Sequence, residues 1–115
     1  IFFAAHKESK LFKDLARLYW YTKMKNIGLL DYLEKSFANP TLILFGSLSK
    51  AENTSQSDVD LCILTPIKKK LELKPFEKKL KRTLQIFSFP SKESIATKEL
   101  ATNILNGYVL TGGFA

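Results

Sequence analysis

Two short apolar runs constrain this chain more than anything else in it. The first is Leu42-Ile43-Leu44-Phe45, closed by Gly46-Ser47; after ten further residues comes the second, Asp58-Val59-Asp60-Leu61-Cys62-Ile63-Leu64. A short apolar run bounded by Gly or by charge reads as a buried strand, because a helix needs about ten residues or more. Successive strand side chains point to opposite faces. Asp58 and Asp60 therefore project together, while Val59 and Leu61 project the other way into a core.

Two carboxylates held side by side repel, and one pKa rises unless a cation lies between them. Oxygen-only ligands suit Mg²⁺ or Mn²⁺, and Mg²⁺ commonly takes one or two protein carboxylates and fills its shell with water and substrate phosphates. Gly46 permits a sharp turn and the close approach of a ligand. Ser47 adds a hydroxyl and a backbone N–H at the start of an expected helical turn, where anions bind well. A metal beside a phosphate cradle is the layout of phosphoryl or nucleotidyl transfer, which depends on positioning and charge neutralisation. Taken singly, Gly-Ser and Asp-x-Asp are common at solvated turns; the pair at the ends of adjacent strands carries the reading.

Phe45-Gly46-Ser47, ten residues, then Asp58-Val59-Asp60-Leu61 resembles the signature of the DNA polymerase beta-like nucleotidyltransferase superfamily, and within it the minimal nucleotidyltransferase domains that pair as antitoxins with HEPN-domain proteins. The resemblance is specific over residues 41–64 and looser to Leu110. It implies that Gly46 and Ser47 hold the triphosphate of ATP, with Lys50 as an assisting cation, and that Asp58 and Asp60 bind catalytic Mg²⁺ (or Mn²⁺). It also implies that the acceptor is a HEPN-type toxin, the partner protein of a toxin–antitoxin-like pair, and that this partner or a homo-oligomer completes the site. Two positions depart from the pattern. Ala51 stands where a Gly often follows the basic residue. The expected third strand, Thr83-Leu84-Gln85-Ile86-Phe87-Ser88-Phe89, holds no acid, and Gln85 stands about where a third carboxylate is expected. An amide is a poor Mg²⁺ ligand and a poor base. Glu93 is the nearest acid downstream and could substitute only if its loop folds back.

At 115 residues one domain is expected, with N-terminal helices over 1–40 and a sheet-and-helix core over 41–111. No apolar run approaches the ~20 residues that cross a bilayer, and Ile1-Phe2-Phe3-Ala4-Ala5 is too short for a signal-peptide core. A single Cys excludes an internal disulfide and fits a reducing cytoplasm. Cys62 reads as a small buried residue rather than a reactive thiol.

Ahead of the signature, helical spacing runs over 8–25, with Leu11, Leu15, Leu18 and Thr22 on one stripe and Phe12, Ala16 and Tyr19 beside it. Asn26-Ile27-Gly28 is a stop. A second helix carries Leu29, Leu30, Leu33 and Phe37 and ends before Asn39-Pro40. Tyr19-Trp20-Tyr21 reads as core packing plus one outward ring, because three consecutive helical residues face different ways. His6 is given no role.

After the signature, residues 66–82 hold eight of the basic residues against two acids, which is nearly the whole net charge of +7. A helix with Pro75 in its first turn would face Phe76 and Leu80 to the core. Its basic face could simply be solvated, contact nucleic acid over residues 68–82, steer ATP or meet an acidic protein. Ser91 or Ser94 can cap a last helix to about Asn106, and Tyr108-Val109-Leu110 can add an edge strand. The class is α+β: two N-terminal helices, then a small mixed sheet with helices on one face, which the resemblance makes a polymerase beta-like fold. The first functional reading is an enzyme that moves a nucleotidyl group, AMP from ATP, to a hydroxyl of a protein or nucleic acid. A binding module of weak chemistry is the second, and a basic nucleic-acid-binding domain the third.

Overall fold

The structure, a computed structural model, describes residues 10–46 and 58–113. Helix α1 (Lys10–Asn26) turns at Gly28 into α2 (Leu29–Phe37). Strand β1 (Thr41–Phe45) and strand β2 (Val59–Leu64) follow, then α3 (Lys74–Leu80), β3 (Leu84–Phe89), a short 3₁₀ turn (Lys92–Ser94), α4 (Lys98–Leu105) and β4 (Tyr108–Thr111). The sheet order is β3-β2-β1-β4. β1 lies antiparallel to both β2 and β4, and β2 lies parallel to β3, so the sheet is mixed as expected.

Alternation along the strands gives the sheet two apolar faces. Leu42, Leu44, Val59, Leu61, Ile63 and Leu84 join Trp20, Met24, Leu29, Leu30, Leu33 and Leu80 in the larger core, under α1, α2 and α3. Ile43, Phe45 and Cys62 point the other way and meet Ile95 and Ile104, so α4 covers the second face. Helices on one face only is therefore corrected. The central strands are buried on both sides, which is why they read as near-continuous apolar runs.

Helix α1 also turns the opposite way from its most regular stripe. Leu11 and Leu18 are 53% and 57% exposed, with Leu15 and Tyr19 exposed beside them, while Trp20 and Met24 are buried and Ala16 and Ile27 pack against the core. Residues 16, 20, 24 and 27 form a second stripe at helical spacing, and it carries the bulkier side chains. Among the described residues no helix is long and apolar enough to cross a membrane.

Helix ends follow local chemistry. Pro75 sits in the first turn of α3, where its missing N–H costs nothing. Ser91 and Ser94 form a capping box over the 3₁₀ turn, and the cap of α4 is Thr97, whose hydroxyl accepts from the Leu100 N–H at 3.1 Å. The expected serine cap of the last helix thus belongs to the turn before it.

Candidate active site

The chemistry gathers at one end of the sheet, where β1 finishes and β2 and β3 begin. Register places Phe45 opposite Asp60 on one side and Gln85 beside it on the other. Paired residues share a face, so Asp60 projects on the α4 side, between a buried ring and an exposed amide. Asp58 precedes the strand and is exposed.

Gly46 completes this corner. Its φ of +80° is left-handed, which closes the strand into a turn. A Cβ there would stand 2.5 Å from Asp60 Oδ2. The missing side chain is the space that the carboxylate occupies.

Asp60 is under electrostatic stress. Burial raises its pKa above the usual carboxylate value, and the charge of Asp58 raises it further. Its Oδ1 is buried and has no hydrogen-bond partner among the described residues. A buried carboxylate oxygen without a donor is costly unless a cation or a ligand meets it. The all-oxygen pair fits Mg²⁺ or Mn²⁺ of the kind that leaves most of its shell to water and phosphates. No group of three or more acidic, His or Cys side chains able to hold a metal occurs among the described residues.

The remaining expected site residues divide clearly. Ser47 and Lys50 lie outside the described residues. Gln85 is in register with Asp60, so an amide occupies the place beside the carboxylates on the parallel strand. Glu93 is ruled out as a replacement acid. It shares a pocket with Thr41 and Leu64 at the other end of the sheet, roughly 13 Å along β2 from Asp60 at about 3.3 Å per residue. Two neighbours were not expected. Thr83 accepts a hydrogen bond from the N–H of Val59, the residue between the two aspartates, at 2.9 Å. Glu77 turns its Oε2 to the Leu84 N–H at 2.7 Å, which fixes the start of β3 to α3. Neither could be found without the strand register. Tyr108 Oη, also buried and without a partner among the described residues, lies on the α1 face of the sheet and does not look onto Asp60.

A family model described as "Nucleotidyltransferase domain" matches residues 27–103, about two thirds of the chain. The chain belongs to the nucleotidyltransferase domain family. The match runs from the turn before α2 into α4, so it contains Gly46, both aspartates and the α3–β3 crossover. Comparison with curated proteins and with solved structures gives no match. The open mixed sheet with helices packed on it is consistent with a nucleotidyltransferase fold, and the family match supports general nucleotidyl transfer.

Proposed function

We propose that this nucleotidyltransferase domain binds ATP with Mg²⁺ (or Mn²⁺) and transfers AMP to a hydroxyl on a second molecule. The observation that carries the reading is Asp60: a half-buried carboxylate with a raised pKa and an unpartnered oxygen, aligned with Asp58 beside the space that Gly46 leaves clear. Asp58 and Asp60 would hold the cation, which when bound neutralises charge on the triphosphate and the transferring phosphoryl group. Gly46 keeps backbone close to the nucleotide and, with Ser47 and Lys50, would position its phosphates. The acceptor oxygen bonds to the α-phosphorus, the bond from that phosphorus to the pyrophosphate oxygen breaks, and pyrophosphate leaves. The acceptor proton is left to water, because the side chain registered beside Asp60 is an amide.

Calorimetric titration of ATP tests this directly. Wild type should bind with strong dependence on Mg²⁺, and Asp58→Asn should lose at least about tenfold in that affinity. Equal affinity with and without Mg²⁺, or no change in the variant, would remove the site.

Gln85 favours a second reading, in which nucleotide binds but transfer is slow. Gln85→Asp then restores a base and a ligand beside Asp60. The expected result is a rise in kcat of about tenfold or more, on the scale of general-base effects. An unchanged rate in a folded variant would show that the amide is not what limits transfer.

A further inference from the structure

β3 is an outer strand of the sheet, and parity decides which of its backbone groups face outward. In a parallel pair, a residue of one strand bonds the two residues that flank its partner on the other. The Val59 N–H goes to the Thr83 carbonyl and the Thr65 N–H to the Phe89 carbonyl, both at 2.9 Å. Gln85, Phe87 and Phe89 therefore turn their backbone groups inward to β2, and Leu84, Ile86 and Ser88 turn theirs outward. The Leu84 N–H agrees, because it leaves the sheet to donate to Glu77 Oε2 at 2.7 Å. Beyond that bond the edge is open: the Leu84 carbonyl and both backbone groups of Ile86 and Ser88 have no partner among the described residues.

An open edge of this kind accepts one more strand, so its ligand is an extended segment. Charge says which segment. A pocket of about 270 Å³ opens beside Ile86 and Ser88, walled by Phe37 and Leu71 and rimmed by Lys68 and Lys69. Both lysines are exposed, and neither has an acidic partner among the described residues. The fold divides the basic stretch here, since Lys74 and Lys78 line a separate groove with Glu77. A second copy of this chain does not fit the edge. Two-fold pairing runs the strands antiparallel, so Lys81 and Arg82 ahead of one β3 would meet Lys68 and Lys69 beside the end of the other. Like charges so placed oppose association.

We propose that the outer edge of β3 docks an extended acidic segment of a partner protein, which adds to the sheet antiparallel to β3. Antiparallel pairing is the stronger per residue, and it lets Ile86 and Ser88 each exchange both bonds with one guest residue. Residues directly opposite share a face. The guest side chains facing Ile86 and Ser88 therefore project toward the pocket, where carboxylates meet Lys68 and Lys69. The alternate guest side chains lie on the α4 side, against Phe87 and Phe89. Neither aspartate takes part, and the inference stands apart from the nucleotidyl-transfer reading.

The test is fluorescence anisotropy of a labelled peptide of about seven residues that alternates Val and Glu, in buffer without ATP or Mg²⁺. N-methylation of the Glu amides should weaken binding by about tenfold or more, because those N–H groups face β3, and N-methylation of the Val amides by less than about twofold. Ser88→Pro removes one outward N–H at an edge position that tolerates proline, and should cost about tenfold. Lys68→Gln with Lys69→Gln should cost about three- to tenfold, and Lys74→Gln with Lys78→Gln less than about twofold. Far-ultraviolet circular dichroism checks that each variant folds, and the methylated peptides decide the matter whether or not Ser88→Pro does. Absence of binding, equal binding of a peptide with Gln in place of Glu, or equal losses from both methylated peptides would overturn the proposal. So would a sedimenting dimer that Ser88→Pro dissolves, which would assign the edge to a second copy.

Discussion

Asp60→Asn should abolish transfer while making the protein more stable. The expected loss in kcat/KM is on the order of 10²–10³-fold, about 3–4 kcal/mol of transition-state stabilisation, because the proposed site works by charge neutralisation and would lose one of its two anionic ligands. Stability moves the other way. The ionised side chain is half-buried, feels the charge of Asp58, and has an oxygen without a donor among the described residues. Its folded pKa lies above the unfolded one, so the native state binds the proton more tightly. The destabilisation is fully present above the folded pKa. It is relieved as pH falls through that value and is gone below the ordinary carboxylate pKa of about 3.9. In EDTA, the melting-temperature difference between Asp60→Asn and wild type should therefore be largest at neutral pH and shrink on acidification. A variant that is less stable than wild type at pH 7, or a difference that grows in acid, would contradict the account. Activity lost together with stability would mean that Asp60 is a structural residue.

Gly46→Ala should be the most damaging small change outside the core. A side chain at φ +80° carries about 1–2 kcal/mol of backbone strain. The added methyl would also stand 2.5 Å from Asp60 Oδ2, so the carboxylate must move. For a domain of this size, 1 kcal/mol is about 4–8 °C in Tm, and the expected drop is roughly 5–15 °C with transfer lost as well. Gly113→Ala is the control, since a Cβ there meets nothing within 4 Å and its φ is not positive. A double-mutant cycle separates the two costs. In an Asp60→Ala background the collision is gone, and only backbone strain should remain, which gives a coupling of about 0.5–3 kcal/mol. Additive effects would show that Gly46 and Asp60 do not touch.

The corner that joins these two residues was legible before the fold, for a physical reason. Leu42–Phe45 and Leu61–Leu64 are too short for buried helices and too apolar for loops, so a strand end at Gly46 and a strand that opens with Asp58 and Asp60 follow directly; the structure begins that strand at Val59. Gln85 was legible only through the resemblance, which sets it about where a third carboxylate is expected; the register of β3 against β2 then places it beside Asp60. Helix α1 was not. Residues 11, 15, 18 and 22 and residues 16, 20, 24 and 27 are both acceptable stripes, and only the sheet decides between them. It takes Trp20 and Met24, whose burial removes more apolar area from water. The second face of the sheet was hidden for a similar reason: Ile43, Phe45 and Cys62 show apolar character, but nothing in one strand says which helix will cover it. The basic run was legible as charge and illegible as shape, since its division depends on where α3 begins after the 65–73 connection.

Cys62 gives the site an internal clock. It is the chain's single thiol, lies two residues beyond Asp60 on the same face of β2, has no exposed surface, and burial pushes its pKa up to about 12. In the closed protein it is neither reachable nor ionised, so an alkylating reagent can capture it only when the middle of the sheet comes apart. That opening necessarily dismantles the strand on which Asp60 is mounted. Whatever binds at the aspartates must hold the strand shut, and the age at which each molecule acquires its label becomes a record of how long its site stayed assembled.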